Sequence, residues 1–134
     1  MSKYDPLQEH LEAQGADTVT MSFTELDAMK ALGVTLAIDD FGAGHTSFKH
    51  LRNFPVDIVK IDGAFIQNLS RSTNDRFFVQ TLIDLAHHLG LTTVAEWVED
   101  EETARLLTSW GVDYLQGDHC GVPFLVSDEV AKVA

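Results

Sequence analysis

Two adjacent carboxylates, Asp39 and Asp40, close the apolar run of "LAIDDFGAG" (residues 36–44) directly before a glycine-rich turn. Side by side they disfavour each other's ionised form unless a cation stands near them. Further along the chain, "FPVDIVKID" (54–62) ends on Lys60 and Asp62, "LTTVAE" (91–96) ends on Glu96, and "WGVDYLQG" (110–117) carries Gln116 near its end. These residue types suit metal-assisted hydrolysis of a phosphodiester. Paired carboxylates hold Mg²⁺ or Mn²⁺, alone or as a bridged pair of ions. A lysine neutralises developing phosphate charge or orients a water, a further carboxylate serves as ligand or general base, and a glutamine holds the attacking water. Taken singly, each has a plainer reading: Asp-Asp as a loop start or helix cap, Lys60 and Asp62 as an ion pair, Glu96 and Glu99 as a solvated helix start. The joint pattern favours a site, because four successive strands end in groups able to bind metal, water or phosphate.

The elements that must position these residues alternate. Phe23, Leu26, Met29 and Leu32 recur at helical spacing in "FTELDAMKAL", with Gly33 closing the helix. A buried-strand pattern follows at 34–39, a short helix at 46–53 and a second strand at 56–62. Residues 73–90 give the clearest helix, capped by Asn74 or Asp75 and closed by Gly90. A third strand at 91–96, a helix at 100–111, a fourth strand at 112–117 and a helical turn or two at 127–134 complete the order. The strands resemble one another. "LGVTLAID" and "LGLTTVAE" each place an acid six residues after a helix-ending glycine, and "WGVDYLQG" places Gln116 one position earlier. Repeated β/α units with short connections predict an α/β fold of parallel strands joined by right-handed crossovers. Parallel strands put all their C-terminal ends on one edge, so Asp39, Asp40, Lys60, Asp62, Glu96 and Gln116 gather there.

Composition narrows the function classes. The chain has 134 residues, 45% of them hydrophobic, which suits one domain with its own core. Nine basic against 21 acidic residues give a net charge of −12, which argues against a nucleic-acid polymer as partner. A small anionic ligand remains compatible if a divalent cation stands between it and the carboxylates. No apolar run approaches the roughly 20 residues of a membrane span, and "MSKYDPLQEH" has no apolar segment of signal-peptide type. The single cysteine, Cys120, fits a reducing cytoplasm. His119 and Cys120 lack a second His/Cys pair at ligand spacing, His87 and His88 sit on the long helix, and Phe77, Phe78, Leu82 and Leu85 have core spacing.

From about Leu32 to Pro123 the chain resembles the C-terminal half of the EAL domain, the bacterial phosphodiesterase that linearises cyclic di-GMP. The matching stretches are "LAIDDFGAG", "FPVDIVKID", "LAHHLGLTTVAEWVE" and "WGVDYLQG", in that order. The resemblance implies Asp39 and Asp40 as metal ligands, Asp62 as a further metal-site acid, and Lys60 as the lysine near the catalytic water. It implies Glu96 as the catalytic-site glutamate, Gln116 as a contact of the water network, and Glu99 as support for the loop after Asp40. It further implies half of a (β/α)₈ barrel, since the family's domain runs to about 250 residues. Residues 23–134 would form a truncated (β/α)₄ domain, and 1–22 a rearranged or lid-like N-terminal segment.

Several family features have no counterpart in the sequence. The Glu-Ala-Leu strand is missing, with its metal-binding glutamate and the nearby substrate arginine, and so is the asparagine ligand. Glu9 stands at the distance of a third glutamate, about 30 residues before the aspartate pair, but in a polar helical context. Trp97 replaces the usual glycine of "AEGVE", "DHCGVPF" departs from "YLFSKP", and His45-Thr46 replace Tyr-Ser. The expectation is an EAL-like domain of cyclic di-GMP signalling that lacks phosphodiesterase activity as an isolated chain and acts by binding or assembly. Its Mg²⁺ or Mn²⁺ site should be weak, and its open barrel face should drive homodimer formation. The alternatives are an active phosphodiesterase completed by a second chain, and an unrelated small α/β phosphate-binding protein.

Overall fold

A computed structural model describes residues 20–44 and 47–125. The elements run α1 (Phe23–Ala31), β1 (Ala37–Phe41), α2 (Phe48–Asn53), β2 (Ile58–Ile61), α3 (Gly63–Ile66), α4 (Thr73–His88), β3 (Thr92–Ala95), α5 (Glu101–Ser109) and β4 (Tyr114–Leu115). The strands form one sheet in the order β1-β2-β3-β4, and every neighbouring pair is parallel. The expected α/β fold of parallel units is therefore present, and the C-terminal ends of all four strands share one edge.

Local differences from the sequence reading have local causes. The cap of α4 is Ser72, whose Oγ accepts from Asp75 N–H at 3.1 Å, rather than Asn74 or Asp75, which lie inside the helix. β1 begins later than expected and includes Asp39 and Asp40, while β4 is only Tyr114–Leu115. The short helix α3 escaped detection because four residues are too few for a hydrophobic period; Asp62 starts it by accepting from Ala64 N–H at 2.7 Å. α1 opens with a reciprocal cap between Ser22 and Glu25 but buries no residue fully, and Phe23 and Leu32 of its expected apolar face are exposed. The expected helix at 127–134 and the segment 1–19, Glu9 included, lie outside the described residues.

The core sits between the sheet and α4. Val59, Ile61, Thr93 and Ala95 point to the helix side and are buried, and they meet Val79, Leu82, Ile83 and Ala86 of α4 together with Leu107 of α5. Alternate residues Ile58, Lys60, Thr92 and Val94 point the other way and are only half-buried, and Tyr114 is exposed. Among the described residues the cover is one-sided, whereas parallel strands normally pack on both faces. The side chains of "DIVKI" and "TTVA" expected to face the barrel interior are thus partly open to water.

Two aspartates at the opposite edge hold the strands in register. Asp57, just before β2, accepts from Leu36 N–H at 2.9 Å and from Lys30 Nζ at 2.9 Å. Asp113, just before β4, accepts from the backbone N–H and hydroxyl of Thr93 at 2.8 and 2.9 Å, with His87 Nε2 at 3.0 Å. The same "Val-Asp" step thus ties each strand back to its predecessor. The Leu36 N–H holds the Asp57 carboxyl below its ordinary value of 3.8, with Lys30 adding to the effect against burial. Burial opposes the same shift at Asp113, but the Thr93 donors and His87 outweigh it.

Both lowered carboxylates stabilise the fold fully above their unfolded value, and that contribution is lost as pH falls through their folded values. Asp57→Asn and Asp113→Asn keep the shape and remove the charge. Each is expected to cost about 1 kcal/mol at pH 7, the low end for charge-assisted bonds because both side chains are partly exposed. Urea unfolding measured between pH 3 and 7 should show the variants converging on wild type at the acid end. A deficit that stays constant with pH would count against the assigned role of charge.

Candidate functional site

The aspartate pair owes its geometry to an irregularity in β1. Ala37 and Ile38 pair with Ile58 and Val59, but Phe41 pairs with Ile61, so three steps on β1 match two on β2. The extra residue is a β-bulge at Asp39-Asp40, and Asp40 takes up a left-handed conformation with φ 51°. In a regular strand, neighbouring side chains point to opposite faces. Here the bulge lets both carboxylates serve one edge. Gly42 follows at φ 103°, and a Cβ there would stand 2.6 Å from the Phe65 ring, so the turn after the pair requires glycine.

Lys60 lies on the open face of β2 and reaches that edge. Its Nζ stands 2.7 Å from Glu96 Oε1 and 3.2 Å from Asp39 Oδ1. Carboxylate oxygens of Asp39, Asp40 and Glu96 lie within 4.8 Å of one another. The hydrogen bond to Glu96 raises the Lys60 pKa above its ordinary 10.5, burial works against it, and Asp39 adds to the rise. Lys60 therefore stays charged across the neutral range, and the ammonium loses its charge only as pH rises through that raised value. Glu96 is buried, 8% exposed, whereas Asp39 and Asp40 are exposed.

The structure brings Asp39, Asp40, Lys60 and Glu96 together, as expected, and separates the other candidates from them. Asp62 is buried at the same edge, but its carboxylate caps α3 and stands outside the three-carboxylate group. Glu99 accepts from Gln67 Nε2 at 3.2 Å, on the turn after α3. Gln116 is exposed at the end of β4, where its backbone N–H donates to Ala95 and its carbonyl accepts from Val98. His119 and Cys120 are exposed and belong to no such group among the described residues.

In the sequence Trp97 stands out only as a replacement for the usual glycine of "AEGVE". It stands at φ 57°, the left-handed region that favours glycine, with its ring laid over Gly63. A Cβ on Gly63 would come within 2.1 Å of that ring. The pairing of a glycine after Asp62 with an indole after Glu96 left no periodic signal in either segment.

The donor set consists of oxygen alone, which fits Mg²⁺ or Mn²⁺ and disfavours metals that prefer sulfur or imidazole. Asp39, Asp40 and Glu96 are the residues able to hold such an ion.

The sequence matches the EAL domain family over residues 8–123. It is 42% identical over 98 residues to the cyclic di-GMP phosphodiesterase PdeB of Shewanella oneidensis, a match covering 73% of this chain and 11% of PdeB. Among solved structures, the EAL domain of Mycobacterium smegmatis DcpA is similar with TM-score 0.76 and 35% identity, covering 84% of this chain and 52% of that one. Klebsiella pneumoniae BlrP1, in its manganese and cyclic di-GMP complex, is similar with TM-score 0.66 and 35% identity, covering 70% of this chain and 24% of that one. The chain thus spans only a small part of PdeB and about half of the DcpA domain. The family match over residues 8–123, together with a parallel α/β fold shared with solved EAL domains, establishes that this chain belongs to the EAL domain family.

Proposed function

We propose that this chain is a cyclic di-GMP-binding EAL module that does not hydrolyse the dinucleotide by itself. The observation that carries the reading is the cluster of Asp39, Asp40 and Glu96 around Lys60 at the C-terminal edge of the sheet. The similarity to BlrP1, whose complex holds manganese and cyclic di-GMP, supports the choice of ligand. A bound divalent cation would supply positive charge to a phosphodiester at this edge. Lys60 offers a second positive charge to the phosphate or a hydrogen bond to a nearby water. Glu96, buried beside it, is placed to hold a proton or a ligand position. Asp62 would support the site from behind by fixing the start of α3, and Gln116 would meet water at the exposed end of β4. The free thiol of Cys120 fits a reducing cytoplasm as the place of action.

Turnover asks for more than this edge provides. Mg²⁺ favours six oxygens in near-octahedral geometry. Three carboxylates leave much of that shell to water, and two of them already engage Lys60. The open sheet face beside Lys60 also admits solvent, which weakens every charge interaction the site could make.

Incubation of the purified chain with cyclic di-GMP and Mg²⁺ or Mn²⁺ is expected to give no linear dinucleotide, or a very slow trickle. Robust turnover abolished by Asp39→Ala would establish an active enzyme instead. Calorimetry should show weak Mn²⁺ binding that the double variant Asp39→Asn/Asp40→Asn reduces at least about tenfold. Equal binding by wild type and variant would remove the proposed metal site.

The open face supports self-association. Among the described residues β1 and β4 are the edges of the sheet, and the face between them carries half-buried Ile58 and Val94 with exposed Tyr114. Unpaired edges invite further strands, and eight parallel strands close a barrel. A two-fold axis along the strand direction would set β4 of one copy beside β1 of the other and place both acidic edges at one end. Sedimentation at micromolar concentration should report a dimer that Val94→Glu shifts toward monomer. A stable monomer at that concentration would overturn the idea.

A further inference from the structure

Beside the carboxylate cluster lies a cleft of about 270 Å³ lined by Trp97, Gln67, Glu99, Gly117 and Asp118. Trp97 covers Gly63 with one face of its ring and remains 54% exposed. It occupies a left-handed backbone position that costs an L-residue strain, and such strain concentrates at functional sites. Packing over Gly63 accounts for one face of the indole. The exposure of the ring at the mouth of a cleft is left to explain.

The cleft's polar groups point to its occupant. Glu99 and Asp118 are acidic and would repel a phosphate, yet carboxylates are strong acceptors for N–H donors. Gln67 adds an amide and already donates to one oxygen of Glu99. A flat ring face beside acceptors suits a heteroaromatic base whose edge carries N–H groups, of which guanine is the case with both a ring N–H and an exocyclic amine. Trp97 directly follows Glu96, so a nucleotide held by its phosphate at the cluster would have the cleft within reach of its base.

We propose that Trp97 is a stacking platform for a purine base, with Glu99 and Asp118 as acceptors for its N–H edge. The indole thereby supplies affinity for the base and the two carboxylates its specificity, at a position where the sequence motif otherwise carries glycine. This inference rests on the reading that the carboxylate edge binds a cyclic dinucleotide. Stacking of a base on an aromatic side chain supplies affinity without requiring movement of the backbone.

The test is a fluorescence titration in a Trp110→Phe background, which leaves Trp97 as the single emitter, with cyclic di-GMP and its inosine analogue in Mg²⁺. Cyclic di-GMP should quench Trp97 emission, and the inosine analogue, lacking the exocyclic amine, should bind several-fold more weakly. Trp97→Leu keeps an apolar group over Gly63 without a π face, and calorimetry should show about tenfold weaker binding, while Trp97→Phe stays within a few-fold of the parent. Circular dichroism confirms that the variants fold. Cyclic di-GMP binding with unchanged Trp97 emission, or undiminished affinity in Trp97→Leu, would overturn the platform alone. No binding of cyclic di-GMP by the parent protein would overturn the dinucleotide reading, and the platform with it.

Discussion

The Lys60 ammonium is the interaction on which the acidic edge depends. Three carboxylates with oxygens inside 4.8 Å of one another bring like charges close together at one edge. Lys60 bridges Glu96 and Asp39, and Glu96 is buried enough that losing its partner would leave a costly unpaired charge. The lysine is held in place by the most regular part of the sheet, since β2 pairs residue for residue with β3 from Ile58 to Ile61. Its neighbours Val59 and Ile61 are fully buried, so the backbone that carries Lys60 is anchored in the core. Regular packing on one face thus fixes a charge on the other.

Around that fixed charge, the other groups are placed by departures from regularity. The bulge in β1 brings Asp39 and Asp40 to a common edge. Asp62 turns the chain from β2 into α3, which supplies Gly63 as the bed for Trp97 and leads to Gln67 as the partner of Glu99. Each departure has a conformational cost, the left-handed Asp40 and Trp97 included, and each falls at the end of a strand where loops rather than the core carry it. At the other edge, Asp57 and Asp113 do the opposite work of enforcing regular strand order. Aspartate therefore serves both ends of the sheet, and position relative to the strand decides which role it takes.

That division explains what could be read from the sequence. The parallel order of strands was legible because apolar runs alternate with helical segments, and helix-closing Gly33 and Gly90 each lead directly into a strand. The gathering of Asp39, Asp40, Lys60 and Glu96 followed from topology, since parallel strands share an edge. The finer placement was not legible. A bulge is one extra residue with no compositional mark, so the apolar pattern places β1 too early, ending it at Asp39 and leaving Asp40 outside the strand. Asp62 reads as a ligand by type, and one oxygen of its carboxylate accepts from the backbone N–H of Ala64. Glu99 lies next in line after the third strand, but its partner comes from an element too short to leave a periodic signal. α1 misled in the other direction: its helical spacing is real, but an apolar face in sequence does not state whether anything packs on it.

The open face links the site to the state of the whole sheet. Lys60 shares that face with Ile58, Thr92 and Val94, so whatever covers the apolar residues also removes water from around the ammonium. Removing water strengthens the pairing with Glu96 and Asp39 and sharpens the field felt by a bound phosphate. It also raises the desolvation cost of the three carboxylates, which a divalent cation would offset. Cover of the face and occupation of the metal position are therefore expected to favour each other through the same charges. A partner seated on this face would then be felt at the acidic edge, because the residue that balances that edge stands on the same surface.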